Sequence, residues 1–148
     1  MGVELQYNTW SVPGIKVAEV KKIEMEQGTN FFKVTSTLKS DQDVELTVAI
    51  GLTTYGKQEV HQDKTLGALT VWEIIDTKHG SLATAVLVAP ESFVGFAKSD
   101  GDEYILVKVK TNVPFSYYAG AGWNKRKQFK KSEDWKNYVV SETRKVKF

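Results

Sequence analysis

The chain has 148 residues, enough for one domain with one sizeable core. Hydrophobic residues make up 41 % and charged residues 26 %, a balance that excludes a disordered chain. A net charge of +2 is too small to argue for nucleic acid, and the absence of cysteine excludes disulfides, thiolate chemistry and cysteine-ligated metal.

No apolar run approaches the roughly 20 residues of a membrane-spanning helix. The opening "MGVELQYNTW" has no basic region followed by an apolar stretch, so no signal peptide is expected in this sequence. Gln6 stands where a myristoylation signal needs Ser or Thr. Neither nucleic acid nor a membrane is expected as a partner.

"GIKVAEVKKIEMEQG" reads as a strand whose apolar face switches at Lys21 and Lys22, which predicts a bulge there. "EQGTN" is a turn with Gly28 free to take positive φ. In "NFFKVTSTLK", Phe32, Val34, Ser36 and Leu38 alternate with Lys33, Thr35 and Thr37. "VELTVAIGL" alternates still better, and the turn-forming "SDQD" between the two predicts an antiparallel hairpin. Residues 53–65 lack periodicity and read as one long loop, a kind of segment that often carries function.

"LGALTVWEIID" resumes as a strand, and "TKHG" turns the chain. "LATAVLVA" is a continuous apolar run that suits a strand covered on both faces. "FVGFAKS" and "YILVKVK" flank the turn "DGDE", and "FSYYAGAGW" follows. Only the tail is helical. Ser132 is its expected N-cap, and Trp135, Tyr138, Val139, Glu142 and Val146 fall on one stripe that should pack on a sheet. Seven or eight hairpin-linked strands and this tail predict an all-β fold. It is an antiparallel β-sandwich with one C-terminal helix, as a single domain over 1–148.

The candidate chemistry is sparse. Neither His61 nor His79 has a second histidine three or four residues away, so no metal site is expected. His61 is flanked by Glu59 and Asp63. With a carboxylate such as Glu59 or Glu73 it could do general acid/base work. Glu73 is expected to face outward from its strand. "GAG" is too short for a dinucleotide fingerprint, and no cofactor is expected.

If residues 115–123 form a regular strand, Tyr117 and Trp123 share a face and are expected in the core. Tyr118, Gly120 and Gly122 form the other face: one ring beside bare backbone, with room for a flat ligand or a crossing ring. Tyr118 is therefore the candidate contact for a sugar. The basic run "KRKQFKK" reads as a solvated linker, with Lys125 and Arg126 expected near Tyr118 to attract acidic sugars.

The "VGF" strand, acidic-Gly turn, "YYAGAGW" and a helix opening "EDW", all within residues 86–139, carry a resemblance. They are similar to the C-terminal part of an uncharacterised-domain family of bacterial polysaccharide-utilisation proteins. The match is looser over 15–85. The resemblance implies a galactose-mutarotase-like β-sandwich, an exported or periplasmic setting, and an oligosaccharide or polysaccharide partner, some of it uronate-containing. It also implies that this chain is the C-terminal portion of a longer family domain, whose N-terminal part would be a further partner. Three functions are weighed: a carbohydrate-binding or accessory domain, a carbohydrate-active enzyme of mutarotase, lyase or hydrolase type, and a structural half-domain.

Overall fold

A computed structural model describes residues 1–148. Eleven strands are formed: β1 (Gly2–Gln6), β2 (Trp10–Val12), β3 (Ile15–Met25), β4 (Phe31–Lys39), β5 (Glu45–Leu52), β6 (Gln58–Asp63), β7 (Ala68–Asp76), β8 (Gly80–Val88), β9 (Phe93–Ser99), β10 (Asp102–Lys110) and β11 (Phe115–Trp123). One helix, α1 (Ser132–Thr143), follows. The strands make two antiparallel sheets of unequal size. The larger has eight strands in the order β1-β3-β4-β11-β8-β7-β6, with β2 attached to β3; the smaller is β5-β10-β9. The small sheet covers part of one face of the large sheet, and α1 covers part of the other.

Strand alternation explains both layers. From β8, Val86 and Val88 point toward the small sheet and join Val17, Leu38, Leu69, Ile105 and Val107. Ala83, Ala85 and Leu87 point toward the helix and join Phe31, Trp72, Trp135 and Val139. The apolar run of β8 is thus buried on both faces, as its sequence predicts.

The helix layer closes because β11 offers almost no side chain there. Gly120 and Gly122 face α1, and a Cβ added to them would sit 2.7 Å from the rings of Phe31 and Phe129 respectively. The space left by those hydrogens is filled by rings. Trp135 lies parallel to Phe31 at 6.0 Å between centroids and meets Phe129 edge-on at 4.9 Å. Its indole N–H donates to the Thr84 carbonyl at 3.1 Å, which satisfies its one polar atom. The crossing rings that "YYAGAGW" has room for are therefore the protein's own.

Four local expectations differ from the structure. β4 and β5 are consecutive but not paired: β4 lies between β3 and β11, whereas β5 joins β10 in the other sheet. "SDQD" therefore carries the chain between layers. β3 has no bulge at Lys21, since its register with β4 runs unbroken from Ala18 to Met25. Its mixed pattern arises because Glu19 and Lys21 pair with each other at 3.4 Å on the face turned to the small sheet, with Ser36 Oγ donating to Glu19. Residues 53–65 are not one loop, because 58–63 form edge strand β6. An edge strand exposed along much of its length needs no apolar face, which hides it from periodicity.

The fourth difference is at the helix start, where the cap is Lys131 rather than Ser132. The Asp134 carboxylate reaches back to accept N–H bonds from Lys130 and Lys131 at 2.9 and 3.2 Å. Those bonds hold the Asp134 carboxyl below its ordinary range.

Two outcomes follow for the helix. Trp135→Ala should cost roughly 3–5 kcal/mol in urea unfolding, the usual range for emptying a buried aromatic site; a loss under about 1 kcal/mol would mean the helix is undocked. Because the folded-state pKa of Asp134 is depressed, its contribution is present above its ordinary value of about 4 and lost as pH falls through the folded value. Thermal melts should show Asp134→Ala less stable than wild type at pH 7, with the gap narrowing in acid below about pH 4.

Candidate binding cleft

A surface cleft of about 540 Å³ opens beside Tyr118. The end of β3, the β3–β4 turn, the start of β4, β11 and the segment after α1 all contribute to it. Its apolar floor is the half-buried ring of Tyr118 with Phe31 and Val146. Its charges balance: Glu24, Glu26 and Glu142 against Lys33, Lys145 and Lys147.

The walls are tied down by specific bonds. Tyr118 donates its hydroxyl proton to the Lys147 carbonyl at 2.9 Å, and Phe148 meets its ring edge-on at 5.6 Å. Lys33 reaches the same carbonyl at 2.8 Å, and its ammonium lies 5.9 Å from the Tyr118 ring centroid. Glu142 is only 6 % exposed. It accepts from Thr29 Oγ1 at 3.2 Å and from Lys145 at 2.6 Å. The bond to Glu142 raises the Lys145 pKa, and the bond to Lys22 lowers that of Glu24. Tyr138 accepts the Asn30 N–H at 2.9 Å, joining the β3–β4 turn to the helix. The two sides of the cleft are thus held together by Thr29, Asn30, Tyr138 and Glu142.

Sequence reasoning finds Tyr118 through alternation but misses these walls. They come from segments more than 100 residues apart, and nothing local marks Thr29 and Glu142 as neighbours.

The other candidate residues lie elsewhere. Lys125 and Arg126 sit in a short 3-10 turn after β11, where the Lys125 ammonium is 3.5 Å from the Thr77 carbonyl. Five residues of extended chain, roughly 17 Å, separate Tyr118 from Trp123, so the basic run is not beside Tyr118. Trp123 is not core either. It faces the small-sheet side but is 46 % exposed, because the small sheet does not reach that end of β11. Its indole N–H donates to the His79 carbonyl at 2.6 Å. Tyr117, on the same face, packs against the sandwich core.

His61 lies on β6 opposite Thr70, on the helix-facing side, with Glu59 two residues before it. Glu73 points from β7 to the opposite face, so the fold does not bring it to His61. Nor does it face outward: it is 3 % exposed and accepts the N–H groups of Tyr55 and Lys57 at 2.6 and 3.5 Å. Its position beside Trp72 suggested a surface residue. Its role is to fasten the β5–β6 connection onto β7.

Replacing Glu73 by Ala removes the charged acceptor of both N–H groups and should cost about 1–3 kcal/mol. Hydrogen exchange should speed up at Tyr55 and Lys57 and leave α1 unchanged; unchanged rates at both amides would refute the tether.

No curated protein and no solved structure matches the chain. A family model described as "Domain of unknown function (DUF4861)" matches residues 1–148, and the chain belongs to that family.

Proposed function

We propose that this domain binds oligosaccharides derived from polysaccharide, in a bacterial polysaccharide-utilisation setting, and that the Tyr118 cleft is the sugar site. The observation that carries the reading is a half-buried aromatic ring set in an open cleft between donors and acceptors. Sugars present apolar C–H faces to such rings and hydroxyls to charged groups around them. The resemblance of residues 86–139 to polysaccharide-utilisation proteins supports the same substrate class.

The balance of three carboxylates against three ammonium groups supports recognition of neutral as well as acidic sugars. Affinity for uronates would rest on Lys33, Lys145 and Lys147 rather than on the distant Lys125 and Arg126. Lys145 is committed to Glu142, which leaves Lys33 and Lys147 to meet a carboxylate.

Calorimetric titration of oligouronates and of uncharged oligosaccharides tests the site. Tyr118→Ala should weaken binding about tenfold, equal to 1.4 kcal/mol. Lys33→Ala should reduce affinity for the uronates and leave the uncharged series unaffected. Equal affinity in wild type and Tyr118→Ala would remove the cleft from consideration, and no binding to either series would remove the carbohydrate reading.

A further inference from the structure

The two sheets differ in size, and the shortfall exposes one strand edge. β5 pairs only with β10. The phase of that ladder is set by the Thr111 N–H, which donates to the Val44 carbonyl at 3.0 Å. Bonded pairs alternate along an antiparallel ladder. The backbone groups of Leu46, Val48, Ile50 and Leu52 therefore face β10, while those of Glu45, Thr47, Ala49 and Gly51 face the open side. None of these four has a backbone or side-chain partner there.

The other sheet edges carry deterrents to pairing. β6 holds Glu59 and Asp63, β1 holds Glu4, and β9 is irregular where it meets β10 at Leu106 and Val107. β5 has eight residues in unbroken register, no proline and no lysine, and its one charge, Glu45, is at its end.

Beside this edge lies a groove of about 490 Å³ between the sheets, and its floor belongs to the large sheet. Trp10, Phe115 and Tyr117 line that floor with rings. Its only charges, Glu19 and Lys21, neutralise each other at 3.4 Å. A charged side chain laid against it would be left unpaired, so the floor complements an uncharged occupant.

We propose that the β5 edge is an acceptor for an extended polypeptide strand with uncharged, alternately apolar side chains. The strand continues the small sheet over the exposed part of the large one. Main-chain bonds to Glu45, Thr47, Ala49 and Gly51 hold it, and its apolar positions contact Trp10, Phe115 and Tyr117. A second copy of this chain does not fit. Two-fold antiparallel pairing of β5 with β5 sets both large sheets on one side of the joined sheet. Each projects past β5, as Trp10 and Lys21 do here, and the two collide. The occupant is a strand without a large sheet of its own at that edge.

The test uses the full chain, isotopically labelled, and the peptide acetyl-Lys-(Thr-Val)4-Lys-amide. Expected are saturable binding and slowed amide exchange at Glu45, Thr47, Ala49 and Gly51. The amides of Leu46, Val48 and Ile50, already bonded to β10, should be unchanged. Ala49→Pro removes one outward donor without touching the β10 ladder and should weaken binding at least tenfold. If that variant does not fold, a peptide with its central Val-Thr replaced by Pro-Pro decides instead, since it lacks a donor on each edge and should not bind. Three results overturn the proposal: no slowing at the four amides with millimolar peptide, equal binding of the Pro-Pro peptide, or slowing that appears in the chain alone as its concentration rises. The last would make a second copy the occupant. Sugar binding at Tyr118 is measured separately and does not depend on any of these outcomes.

Discussion

The fold depends on one close approach: the rings of Phe31 from β4, Phe129 from the linker and Trp135 from α1 pressed onto the backbone of β11 at Gly120 and Gly122. A helix can lie on a sheet only where the sheet is shallow enough. β8 achieves this with alanine, at Ala83 and Ala85. β11 goes further and removes the side chain altogether, so that Phe31, Phe129 and Trp135 pack at van der Waals distance. Interiors of this density leave no slack for an added methyl group. The basic linker between β11 and α1 also acquires a purpose. Phe129 is its one buried residue, and it pins a segment otherwise made of exposed charge.

The same packing positions the cleft. With α1 held by Trp135, Tyr138 and Glu142 reach the β3–β4 turn, and the segment after the helix runs back over β11 to meet Tyr118. The floor and walls of the candidate site are thus consequences of where the helix lies. The glycines and Tyr118 alternate on a single strand face, so the residues that admit the helix and the residue that faces the cleft are parts of one pattern.

The sandwich class, the helix stripe and the doubly buried strand β8 were legible in the sequence because each rests on local periodicity. Pairing partners were not. "SDQD" has the composition of a hairpin turn, yet it links two sheets, because turn chemistry specifies a reversal and not which strand lies alongside. Glu73 was misread for a related reason. A buried carboxylate is recognised by the N–H groups that meet it, and those belong to Tyr55 and Lys57 in another element. Trp123 carries the opposite lesson. Alternation assigned its face correctly but could not show that the covering layer stops short of it. Tyr118 was found as a ring, without the turn and tail that make a cleft around it.

The order of the large sheet has a consequence for how the chain reaches its native state. β11 is the seam between β3–β4 and β8–β7, and it pairs Tyr117 with Val34 on one side and Val88 on the other. Val34 and Tyr117 are 83 positions apart, so the seam cannot close until most of the chain is present. A nascent chain leaving the ribosome can form the β3–β4 and β7–β8 hairpins at once, since each is sequential. These halves wait as separate pieces with apolar faces open to solvent until β11 arrives to join them. Pairings this distant fold slowly and expose unprotected edges meanwhile. The strand that admits the helix is therefore also the one whose late arrival sets the interval in which the chain is most vulnerable to misassembly.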